Sequence, residues 1–80
     1  MTIVYLLIRA SHGKEGIVRS ALSKFMEISE IHEVFGRYDI LAKIETEDTK
    51  EFSRFIKNKI RITEGIKSVE AVFVSETEHP

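Results

Sequence analysis

Eighty residues accommodate one domain, 1–80, and a domain of this size buries only roughly 60% of the surface its unfolded chain exposes, so its core is small. Twelve basic against thirteen acidic side chains leave a net charge of −1, which supplies no positive field for a phosphate backbone and argues against direct nucleic acid binding. Without cysteine there is no disulfide, thiolate metal site or cysteine nucleophile; no apolar run approaches the ~20 residues that span a bilayer, and no signal segment is present, so a cytoplasmic protein without a membrane partner is expected.

The first segment, Thr2 to Arg9, is short, rich in β-branched residues and stopped by Ser11-His12-Gly13, which predicts a strand. From Lys14 to about Met26, Ile17, Val18, Ala21, Leu22 and Phe25 recur at steps of one, three and four, the spacing of one helical face. Ile28 to Phe35 and Asp39 to Glu45 alternate as strands, the second with Ile40, Ala42 and Ile44 on one side; the glycine-containing turn between them predicts a hairpin. Asp48 followed by Glu51 has the spacing of a reciprocal capping box and opens a second helical face of Phe52, Phe55, Ile56 and Ile60. Gly65 releases the chain into a last strand from Ile66 to about Ser75, and the polar tail Glu76–Pro80 is expected to fray.

Strand, helix, hairpin, helix, strand is the ferredoxin-like βαββαβ order: α+β, with a four-stranded antiparallel sheet and both helices on one face. The first strand is apolar on both sides, Ile3, Tyr5 and Leu7 alternating with Val4, Leu6 and Ile8, and the last strand is similar. Helices cover only one side, so the other is an apolar face that recruits a partner, and we expect two copies to pack sheet on sheet about a two-fold axis. We assign Val4, Leu6, Ile8, Val72 and Val74 to that dimer interface, while the sequence leaves open which set of the first strand meets the partner.

No chemistry of catalysis has a signature here. His12, His32 and His79 show no metal-binding spacing, no serine sits in a nucleophile elbow, and Gly13, Gly16, Gly36 and Gly65 are too far apart to cradle a phosphate. Neither an enzyme nor a cofactor is expected. One constellation stands out: Gly36-Arg37-Tyr38-Asp39 gathers a flexible glycine, a guanidinium, an aromatic ring and a carboxylate at the hairpin tip. Arg37 and Asp39 complement the carboxylate and ammonium of an α-amino acid. The same four residues also make an ordinary turn, with Gly36 at positive φ and Asp39 capping it.

Gly36-Arg37-Tyr38-Asp39-Ile40-Leu41, Lys43-Ile44, Phe52, Phe55-Ile56 and Thr63-Glu64-Gly65-Ile66 together resemble the effector domain of the Lrp/AsnC transcriptional regulators, the RAM (regulation of amino acid metabolism) domain. The resemblance runs from the first strand through Val74. It implies facing-sheet dimers, assembly of dimers into larger homo-oligomers, and amino acid effectors held between dimers near the hairpin and last strand. Carried over residue by residue, it places Gly36, Arg37, Tyr38 and Asp39 along one wall of an effector cleft. The family's last strand commonly bears threonines where this chain has Val69 and Ala71, which leaves Ser68 and Glu70 as the nearby polar groups. Family regulators carry a helix-turn-helix domain before the effector domain, whereas this chain starts on the first strand; a stand-alone sensing module is expected. The alternative is a structural partner that co-assembles with full-length Lrp/AsnC regulators and binds no effector.

Overall fold

The computed structural model describes residues 2–74. The expected end of the last strand at Ser75, the tail Glu76–Pro80 and His79 lie outside the described residues. Strand β1 (Thr2–Ala10), helix α1 (Glu15–Leu22), strands β2 (Ile28–Glu33) and β3 (Ile40–Thr46), helix α2 (Thr49–Phe55) and strand β4 (Ile66–Val74) follow in the expected order. All pairings are antiparallel and the strand order is β2-β3-β1-β4, so the chain's first and last strands lie side by side.

The registers decide which side chains share a face. Val4 pairs with Ile44 and Phe73, Leu6 with Ala42 and Ala71, and Ile8 with Ile40 and Val69. Val4, Leu6 and Ile8 are fully buried, joined in the core by Val18 and Leu22 of α1 and Phe52 and Phe55 of α2. Phe73 lies on that side too, edge to face with Phe52 at 5.4 Å. The expectation that Val4, Leu6 and Ile8 meet a partner is therefore corrected: they lie beneath the helices. Their alternates, Ile3 and Tyr5, pair with Val74 and Val72 on the opposite, open face. No interface could have joined Val4 to Val72, because side chains one residue out of register point to opposite sides of a sheet.

Several element ends differ from the spacing-based expectation. Helix α1 stops at Leu22 instead of Met26, with the Ser23 hydroxyl donating to the Ser20 carbonyl at 2.7 Å and the next amides making tighter three-residue turns. Of its apolar residues, Val18 and Leu22 are buried while Ile17 is about half exposed. Strand β2 ends at Glu33, so six residues and not a tight turn connect it to β3. Asp48 caps α2, its carboxylate accepting from the Lys50 and Glu51 amides, but the expected return contact from Glu51 is absent because the Asp48 amide donates to the Thr46 hydroxyl.

Helix α2 continues into a π-helical turn, Ile56–Ile60, closed by the Arg61 amide donating to the Ile56 carbonyl five residues back. The reason lies in the side chains. An α-helix would bring residue 59, a lysine, inward four positions after Phe55; widening the turn by one residue buries Ile60 instead. Lys59 then stays at the surface, 3.1 Å from the Glu27 carboxylate.

Candidate functional site

The β2–β3 connection leaves one end of the sheet and is held there by backbone chemistry. Gly36 has φ 119°, a conformation that a side chain would strain, and turns the chain so that Arg37 and Tyr38 lie beside the adjacent ends of β1 and β4. Asp39 anchors the return: its amide donates to the Ile8 carbonyl at 2.8 Å and its carbonyl accepts from the Val34 amide at 3.0 Å. The Asp39 carboxylate accepts from the Ala10 amide at 2.8 Å. Ala10 lies past the last β1–β3 pair, Ile8 with Ile40, so its amide has no ladder partner on that side and the carboxylate provides one.

Tyr38 reaches across to β4, where its hydroxyl donates to the Glu70 carboxylate. That hydrogen bond favours the neutral phenol and is the largest reason its ionisation moves up; desolvation and the negative charge of Glu70 act in the same sense, while the guanidiniums of Arg37 and Arg9 oppose them. Ser68 and Glu70 sit on the open sheet face opposite Arg9 and Leu7. Together with Gly36, Arg37 and Val69 these groups enclose a cleft of about 600 Å³, within the ~300–1,000 Å³ common for small-molecule sites.

Of the residues expected from sequence to hold a ligand, the cleft gathers Gly36, Arg37, Tyr38, Ser68 and Glu70. Asp39 does not line it, because its carboxylate is turned to the backbone of β1. The structure adds Arg9 and Val69. Arg9 extends the odd-numbered series of Ile3, Tyr5 and Leu7 and is paired with Ser68, so counting the antiparallel register would have placed it there.

The cleft is continuous in register with the rest of the open face. Tyr5, Leu7 and Leu41 are half-buried there, and Val72 and Val74 remain 42% and 36% exposed. Toward β2 the same face becomes charged: Lys43 lies 3.6 Å from Glu30 and 3.5 Å from Glu45. His32 contacts Glu30 at 3.2 Å and is largely exposed, as is His12 in the turn after β1. The hydrogen bond with His32 and the charge of Lys43 hold the Glu30 carboxyl below its ordinary range. For Lys43 burial acts downward, but Glu30, Tyr5 and Glu45 outweigh it and its ionisation moves up. Among the described residues no group of three His, Asp or Glu side chains is arranged to hold a metal ion, and no helix is long and apolar enough to cross a membrane.

A second cavity, of about 390 Å³, lies between α2 and β3 over Ile44, Phe52 and Phe55. None of the residues expected at a ligand site lines it. Its Glu27 and Lys59 already pair with each other.

A family model described as the Lrp/AsnC ligand binding domain matches residues 3–80. The HTH-type transcriptional regulator FL11 of Pyrococcus furiosus is 32% identical over 72 residues, which make up 90% of this chain and 47% of that protein. The chain thus spans about half the length of that relative. The crystal structure of FFRP-DM1 superposes with a TM-score of 0.87 at 31% identity, covering 94% of this chain and 100% of that one. The transcriptional regulator NMB0573 of Neisseria meningitidis, solved in complex with L-Met, superposes with a TM-score of 0.84 over 98% of this chain and 53% of its own. At 18% identity that last likeness is one of fold alone. Matched by its family model over nearly its whole length, and built on the same ferredoxin-like sheet and helices, this chain belongs to the Lrp/AsnC ligand-binding (RAM) domain family.

Proposed function

We propose that this domain is a non-enzymatic sensor in which an α-amino acid occupies the cleft between the β2–β3 connection and β4, and in which two copies associate through the open sheet face. The observation that carries the reading is the cleft itself. Residues some thirty positions apart in sequence, Tyr38 and Glu70, meet there, and guanidinium, carboxylate and hydroxyl groups converge on one space of ligand size. Arg9 or Arg37 complements an α-carboxylate and Glu70 an ammonium. The regulator solved with L-Met shares this fold and supports the same ligand class.

Self-association follows from the composition of the open face. Its β1/β4 half carries Ile3, Tyr5, Leu7, Val72 and Val74, while its β2/β3 half carries Glu30, Lys43 and Glu45. An isologous contact needs a self-complementary patch, and the apolar half meets that condition when it faces its own copy. Occupancy of the cleft then shifts assembly to the extent that one assembled state binds the amino acid more tightly.

A second reading is a structural partner of full-length Lrp/AsnC regulators that binds no effector. The Tyr38–Glu70 hydrogen bond favours it, since two polar groups of the cleft satisfy each other without a ligand. Light scattering of the pure protein, with and without each standard amino acid at millimolar concentration, separates the two. A ligand-dependent change in mass is the expected result; an oligomer unresponsive to every amino acid supports the structural partner, and a monomer under all conditions removes the face-to-face association.

A further inference from the structure

The charge of the cleft narrows the kind of amino acid it suits. Two guanidiniums, Arg9 and Arg37, border it against one carboxylate, Glu70, a formal excess of one positive charge. Both residues border the same cleft, and the charge of each opposes the rise in the Tyr38 ionisation. Among the described residues neither arginine is ion-paired. One oxygen of Glu70 accepts from Tyr38, which orients the carboxylate and leaves the other oxygen available.

The apolar lining is thin: Val69 is the one aliphatic residue that borders the cleft, and its side chain shares the face of Ile8 and packs against the core. An effector with an aliphatic side chain would find little surface to bury, and would use one guanidinium for its α-carboxylate while the second faced its hydrocarbon. A basic side chain would meet that second guanidinium as a like charge. An acidic side chain meets it as a complement.

Building on the amino-acid reading above, we propose that the cleft selects an acidic α-amino acid, its ammonium against Glu70 and its two carboxylates divided between Arg9 and Arg37. Planar guanidiniums suit this task because each can hold a carboxylate through two parallel hydrogen bonds. One added charge-assisted contact at a solvent-accessible site corresponds to a preference on the order of ten-fold.

Calorimetric titration of the full chain with L-aspartate, L-glutamate, L-leucine, L-methionine, L-lysine and glutarate tests the proposal. Aspartate or glutamate is expected to bind on the order of ten-fold more tightly than the others, and Arg9→Gln to close most of that gap. Leucine, methionine or lysine binding as tightly as the acidic pair overturns the acidic preference while leaving amino acid sensing in place. Glutarate binding as tightly as glutamate overturns the ammonium contact, and an unchanged preference in Arg9→Gln overturns the division between two arginines. If no amino acid binds, this proposal and the sensing function fall together.

Discussion

Leu6 and Val72 lie on opposite faces of the same two neighbouring strands, and replacing each should produce a different kind of damage. Leu6 is fully buried beneath the helices and its cross-strand neighbours are Ala42 and Ala71. Small neighbours cannot fill the space left by Leu6→Ala, so the cost belongs in the upper part of the measured range for such changes, about 3–5 kcal/mol. At ~0.05–0.15 kcal/mol per residue an 80-residue domain has only about 4–12 kcal/mol in total. The loss should lower Tm by at least about 12 °C. Val72 is 42% exposed on the open face, and Val72→Lys should leave the single-chain fold within about 0.5 kcal/mol while placing an unpaired charge in any sheet-to-sheet contact. Urea unfolding followed by circular dichroism at two protein concentrations, with light scattering on the same samples, distinguishes them. Leu6→Ala should shift the midpoint equally at both concentrations; Val72→Lys should remove only the concentration-dependent part and reduce the mass. Dissociation by Leu6→Ala without loss of stability would refute the assignment of faces.

Gly65→Ala should destabilise by about 2–4 kcal/mol in urea unfolding, because Gly65 has φ 93° and an added Cβ would lie 2.9 Å from Val18 Cγ2 and 3.0 Å from Lys14 Cβ. A near-neutral result would mean that the turn at Gly65 abandons its positive φ and that the first turn of α1 moves aside, both freely. Asp39→Ala should cost about 1–3 kcal/mol by leaving the Ala10 amide without its acceptor, and with the fold restored at low temperature the amino acid response should persist; a fully stable variant that lost the response would return Asp39 to the ligand. The Tyr38–Glu70 hydrogen bond requires the neutral phenol, so its stabilising contribution is present below the ordinary tyrosine value of about 10 and is lost as pH rises through the raised folded value. The difference between ultraviolet tyrosinate titrations of the wild type and Tyr38→Phe isolates that group, and a midpoint at or below the ordinary value would contradict the contact.

The order of elements was legible because each has the period its structure demands: Ile40, Ala42 and Ile44 alternate, and Val18 and Leu22 are four apart, and all five are buried. The face of β1 was not legible, since both of its alternating sets are aliphatic. Only pairing with β4 separates them, and Arg9 opposite Ser68 and Glu70 opposite Leu7 mark the set that is not core. The π-helical turn escaped notice because Phe52, Phe55, Ile56 and Ile60 fit an ordinary helix loosely; the lysine at 59 was the signal that the turn must widen. At the hairpin tip the turn chemistry is observed directly, and the ligand reading stays a proposal. Gly36 does supply a positive φ and Asp39 does tie down the turn, while Arg37 and Tyr38 face a cleft. Residue types show that a carboxylate could accept a hydrogen bond, but whether a ligand or the Ala10 amide donates it depends on where β3 stops pairing with β1.

The proposed cleft and the proposed interface are built from the same two strands. On the open face the β1–β4 ladder runs from Tyr5 and Val72 through Leu7 and Glu70 to Arg9 and Ser68, so the apolar half passes directly into the cleft. A second copy seated on the apolar half therefore borders the cleft, excludes water from its edge and strengthens the pairing of Arg9 and Glu70 with an effector. Linkage is reciprocal: whatever factor the amino acid contributes to association, association contributes to amino acid affinity. Binding measured on dilute, dissociated protein should then be weaker than on the assembled form, and Val72→Lys, which touches no ligand group, should weaken it by the same factor as dilution. Equal affinity in the dilute, assembled and Val72→Lys proteins would show that cleft and sheet face act independently.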